Sequence, residues 1–128
     1  MEDNRIGGIG WSLIPPSIVG AEDLSSSQKI IWGRINGLKG ERGYCFASNE
    51  FLGKQLKIKS GSMANMISEM VSLGYLKRTL VFKNGEAEIL VDGSLSDNPS
   101  YDTKGFKMTE RRLIPVEKTI DHEEMLEE

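Results

Sequence analysis

A chain of 128 residues, 38% of them apolar, has material for one core with short tails rather than two domains. No apolar run approaches the roughly 20 residues of a membrane helix; Met1–Gly10 lacks the basic start and apolar middle of a secretory signal; and lone Cys45 has no internal disulfide partner, so a reducing cytoplasm is the expected location. The net charge of −3 is unevenly divided: Glu117–Glu128 holds six acids and one base, whereas Lys29–Lys83 holds ten bases against Glu41, Glu50 and Glu69, a distribution that admits a polyanionic partner.

Residues 1–12 read as a flexible arm, and 13–92 as the folded domain. Trp11–Pro15 suits a short extended segment closed by Pro15-Pro16. Ser25, Ser26 and Ser27 offer N-caps for a helix through Leu38, with Ile31, Ile35 and Leu38 on one face and Gly40 and Gly43 ending it. Tyr44–Ala47 is long enough for one short strand. Ser48 is a good N-cap for a helix over Asn49–Leu56, with Phe51, Leu52 and Leu56 facing inward. Lys57–Ser60 then forms a turn, and a second helix runs from Gly61 to Leu73, capped by Ser60 and stopped by Gly74. Its stripe of Met63, Met66 or Ile67, Met70 and Leu73 has the spacing of a core face, the commoner role for methionines at such intervals. Beyond Tyr75 the pattern changes to strand: Leu76–Phe82 and Glu86–Val91 flank Lys83-Asn84-Gly85, a strong hairpin signal. Residues 93–105 read as a loop, 106–116 as an additional strand packing on the hairpin, and 117–128 as an acidic tail.

The expected class is therefore α+β, a winged helix-turn-helix of three helices, a short strand, a C-terminal hairpin wing and an extra strand. Its logic is geometric. A major groove about 12 Å wide admits one α-helix, and a short turn lets the preceding helix brace it. With Met63, Ile67 and Met70 turned to the core, the outer face carries Gly61, Ser62, Asn65, Ser68, Glu69 and Ser72. Asn65 suits a paired contact to adenine and Ser62 a base or phosphate, while Ser60 and the first-turn N–H groups suit a phosphate. Lys57 and Lys59 supply charge at that end, and the wing tip, Lys83 and Asn84, is placed for the backbone or minor groove. Ser48, Lys54 and Gly61 complete the candidate DNA-binding set. The face has no arginine, so sequence reading by one copy is expected to be modest, or to depend on a homodimer or another domain. No cofactor, metal site or enzymatic activity is expected: His122 sits in the acidic tail and Cys45 in a core strand, so no nucleophile–base pair can be assembled.

Residues Leu13–Arg78 carry Ile14-Pro15-Pro16, Asp23-Leu24-Ser25, Lys29-Ile30-Ile31-Trp32-Gly33-Arg34-Ile35, Gly43-Tyr44-Cys45-Phe46-Ala47-Ser48-Asn49 and Gly74-Tyr75-Leu76-Lys77-Arg78. In these runs the chain resembles the N-terminal winged-helix domain of phage and prophage replication initiators (replisome organisers). The resemblance implies origin binding on mobile-element DNA in a bacterial host, followed by recruitment of the host helicase or helicase loader. It departs from the family at Lys59-Ser60-Gly61-Ser62, where basic residues and Thr usually follow a Ser, and at Gly53, where Ala is common. Two other readings use the same fold. A transcriptional repressor or antirepressor would share the DNA face and need a dimer interface, from the arm or the Phe106–Val116 strand. A protein-interaction module would bind a protein through the same face, with the acidic tail mimicking DNA or engaging a basic partner.

Overall fold

A computed structural model describes residues 14–95 and 105–117; the N-terminal arm, most of the 93–105 loop and nearly all of the acidic tail lie outside the described residues. The first element among the described residues is α1 (Pro16–Val19), a helix not anticipated from the sequence. Pro16 stands in its first turn, where a missing N–H costs nothing, so the proline pair starts a helix; most of the extended segment expected at Trp11–Pro15 lies outside the described residues. Ile18 from this turn is fully buried.

Helix α2 (Ser26–Leu38) starts at a complete capping box: the Gln28 N–H donates to Ser25 Oγ at 3.1 Å and the Ser25 N–H to Gln28 Oε1 at 2.9 Å. A 3-10 turn over Gly40–Arg42 and Gly43 at φ 85° take the chain out of it. The strand expected at Tyr44–Ala47 is a single bridge instead, in which Cys45 and Leu113 exchange two backbone hydrogen bonds of 2.8 Å. It can grow no longer because Ser48 turns the chain to cap α3 (Asn49–Leu56), accepting from the Phe51 N–H. Leu52 and Gly53 take the inward face of that helix, Leu56 is half-buried and Phe51 is left outside, against the expectation that it faces the core.

Helix α4 (Ser60–Leu73) begins one residue earlier than expected, so Ser60 is its first residue rather than its cap. Met63, Ile67 and Met70 are wholly buried, and Gly74 at φ 92° ends the helix. Three antiparallel strands follow: β1 (Leu76–Asn84), β2 (Ala87–Asp92) and β3 (Lys107–Pro115), in the order β2-β1-β3. Asn84 pairs with Ala87, so the turn residues are Gly85 and Glu86, one step beyond the expected Asn-Gly centre. Gly85 alone has positive φ, at 63°, which is the pattern of a turn with glycine first. A bulge between Val81 and Phe82 interrupts the β1–β3 ladder.

The helices and the near ends of β1 and β3 share one core, with Ile31, Ile35, Leu52, Met63, Ile67, Met70 and Leu113 at zero exposure. β3 also ties down both ends of the helical unit. Leu113 holds Cys45 ahead of α3, and the Val116 N–H donates to the Tyr75 carbonyl behind α4.

Candidate nucleic-acid interface

The corner between α3 and α4 depends on one missing side chain. Lys57 ends α3 at φ 59°, ψ 45°, the one non-glycine residue with positive φ among the described residues. Its N–H and that of Ile58, at 2.8 Å, both donate to the Gly53 carbonyl. A Cβ on Gly53 would stand 2.3 Å from the Ile58 carbonyl oxygen, so only glycine lets the returning chain lie this close. Ile58 packs against the core while Lys57 and Lys59 remain exposed. With Lys54, Glu50 and Ser60 they line an open hollow of about 380 Å³. Among the described residues none of the three lysine side chains makes an ion pair or hydrogen bond.

Lys59 precedes α4 in an extended conformation and offers no side-chain cap. The first N–H groups of α4 therefore face outward at the positive end of the helix dipole, with two of those lysines alongside. Ser60, Gly61, Ser62 and Asn65 are all exposed beyond them. The outer face narrows further along. Ser68 Oγ accepts from Arg78 Nη1 at 3.1 Å, and Glu69 Oε1 accepts from Gln28 Nε2 at 2.7 Å. Gln28, itself buried, thus holds the one acid of α4 back against α2, away from where a phosphate would repel it.

The wing is less basic than its sequence suggested. Lys83 is spent in part on Glu88 across the hairpin, 3.6 Å away, and Glu86 occupies the turn. Asn84 is exposed beside them. Of the ten bases in the Lys29–Lys83 window, Arg34 and Arg78 are buried. Arg34 Nε donates to Gln55 Oε1 at 2.5 Å, and Arg78 Nε to the Gly93 carbonyl at 2.6 Å, so they brace the fold and add nothing to a surface patch. The structure gathers Lys54, Lys57, Lys59, Ser60, Gly61, Ser62 and Asn65 about the corner and the start of α4. Ser48 is occupied as the cap of α3, and Lys83 and Asn84 stand apart on the hairpin.

Two residues that position this surface were not evident in the sequence. Gln28 read only as a helix position. Arg111 read only as a position in the 106–116 strand, yet its guanidinium donates to Asn49 Oδ1 at 2.6 Å and to the Ala47 carbonyl at 2.7 Å, pinning the start of α3 to β3. Nothing local signals a partner more than sixty residues away in the chain.

A bracing helix, a glycine-tight corner, a second helix with an exposed start and a hairpin behind it define a winged helix-turn-helix. Residues 22–76, which span α2 to α4, match a protein-family model described as a helix-turn-helix domain, the kind of domain that binds DNA. No curated protein and no solved structure matches the chain. Among the described residues no helix is long and apolar enough to cross a membrane, and no group of His, Cys, Asp and Glu is arranged to hold a metal ion.

Proposed function

We propose that the chain binds double-stranded DNA by setting the start of α4 in the major groove, with Lys54, Lys57 and Lys59 on the flanking phosphates. One observation carries the reading: three lysines whose side chains have no ion-pair partner among the described residues meet the uncapped start of α4 at the corner that glycine closes. Ser62 and Asn65 then face base edges, Ser60 and Gly61 the backbone, and Lys83 and Asn84 the neighbouring groove. Fluorescence anisotropy with a random-sequence duplex across a salt series tests it. About three to five neutralised phosphates give a slope of log affinity on log salt near −3 to −4.5. A slope near zero, or no binding at low salt, would sink the reading.

We further infer origin recognition in the replication of a mobile element, with host helicase-loading proteins as later partners, over transcriptional regulation. The support is the resemblance that runs from Leu13 to Arg78. Selection from a random duplex pool separates the two. An initiator domain acting in tandem copies selects sites that work as direct repeats, whereas a regulator acting as a two-fold dimer selects inverted repeats.

A further inference from the structure

The duplex face leaves a second surface unexplained. Leu38, Cys45, Phe46, Ala47, Ser48 and Phe51 line an open hollow of about 500 Å³ beside α3. Phe46 is 53% and Phe51 45% exposed, more than packing in this fold demands of either ring. The Arg42 guanidinium lies over the Phe46 ring, 4.8 Å from its centroid, and extends the aromatic surface with a cationic plane. A second hollow borders the same ring on the side of Met108, Arg111 and Glu110, an acid paired with Arg112 at 2.6 Å. Phe46 therefore stands as a ridge between two open grooves.

Charge indicates what covers it. The ring that stands out most carries a cation on its face, and Lys54 follows Phe51 one turn along α3. Glu50, the acid of that turn, lines the other hollow, at the α3–α4 corner. Flat rings beside cations suit a polyanion with π-faces, which is an unpaired nucleic-acid strand: bases stack on the rings and phosphates meet the cations. Helix α3 also joins the two surfaces, since Lys54 belongs to the duplex corner and Phe51 to this groove.

We propose that the Phe46–Phe51 groove is a stacking site for unpaired bases of a DNA strand that leaves the duplex bound at α4. The site rests on the duplex-binding reading for its setting, and the test separates the two. The full chain is titrated by anisotropy with a pyrimidine single strand, a blunt duplex and the same duplex carrying a single-stranded overhang. Combining Phe46→Ala with Phe51→Ala is expected to weaken single-strand binding roughly ten- to a hundredfold and to erase the preference for the overhang, with blunt-duplex affinity unchanged. Phe46→Tyr with Phe51→Tyr keeps both rings and is expected to retain binding. Lys57→Glu with Lys59→Glu is expected to lose the blunt duplex and keep the single strand. Equal single-strand affinity in the wild type and the double alanine variant overturns the groove site and leaves duplex binding standing. So does a concentration-dependent dimer, seen by sedimentation, that the alanine variant dissolves. A wild-type chain that holds the single strand but no blunt duplex at low salt overturns the duplex reading instead.

Discussion

Replacing Gly53 by alanine tests the corner directly. The added Cβ would lie 2.3 Å from the Ile58 carbonyl oxygen, and a backbone atom cannot rotate away as a side chain can. Two backbone segments, the last turn of α3 and the entry to α4, must part by about 1 Å to restore ordinary contact. Overpacking of this severity costs about 3 kcal/mol. Alanine offsets about 1 kcal/mol of that through its better helix propensity. The net loss of about 2 kcal/mol corresponds to a fall in Tm of about 8–16 °C for a domain of this size. Thermal unfolding followed by far-UV circular dichroism reads the stability, and anisotropy at a temperature where the variant stays folded reads the duplex affinity. The affinity should also fall, because the parting moves α4 relative to α3. Gly61→Ala is the control: nothing lies within 4 Å of its would-be Cβ, so it should match or exceed wild-type stability. Its duplex affinity should nevertheless drop, because the methyl would stand between the helix start and a phosphate. A Gly53→Ala protein melting within about 2 °C of wild type would refute the argument that this corner needs glycine.

Lys57→Gly should raise stability by about 0.5–1 kcal/mol, by relieving a left-handed conformation at a non-glycine residue, while weakening duplex binding severalfold; a denaturant melt paired with anisotropy would show whether the two effects separate. Gln28→Ala removes the capping box and the hold on Glu69, and should cost about 2 kcal/mol. Freed toward the groove, Glu69 should also repel the duplex, so adding Glu69→Gln should restore affinity but not stability in the same melts. Tyr75 donates a 2.6 Å hydrogen bond to Asp23, and that bond, with burial, pushes its phenol up to about 12. The raised folded value means the contribution is complete below pH ~10, the ordinary tyrosine value, and is lost as pH climbs from there toward 12. Tyr75→Phe should thus melt below wild type at neutral pH and converge with it across that alkaline window. Burial likewise pushes the Cys45 thiol up, so alkylation of the folded protein at mild alkaline pH should be slow and should accelerate in denaturant.

Elements written in local chemistry were legible in the sequence. The Ser48 cap, the span Asn49–Leu56, the stop at Gly74 and the buried Met63-Ile67-Met70 stripe each follow from a cap, a period or a glycine within one helix. Where the deciding contact lies far off in the chain, local reading failed. Phe51 has an inward-looking position in the apolar pattern, yet Leu52 and Gly53 already fill that face. Tyr44–Ala47 has the residues of a strand but a single partner position at Leu113. The basic window overstated the surface charge, because an arginine braced inside, such as Arg78, reads like one outside. At the candidate site, the lysines and the polar start of α4 were evident from the sequence. The restraint of Glu69 by Gln28, the pairing of Lys83 with Glu88 and the clamp made by Arg111 were not. Gly53 is the instructive case. It departs from the alanine common in the resembling family, and the Ile58 carbonyl beside it supplies the reason.

Strand β3 gives the order of synthesis a physical meaning. Translation delivers α2, α3, α4 and the hairpin well before β3, yet the seam at Cys45, the clamp on Asn49 and the tie to Tyr75 all come from β3. Without those ties, a nascent chain halted after the hairpin would display its lysines on helices less firmly joined. On the proposed function, competence to grip a duplex arrives with β3, and an unfinished chain would be a poor competitor for the sites its completed siblings occupy.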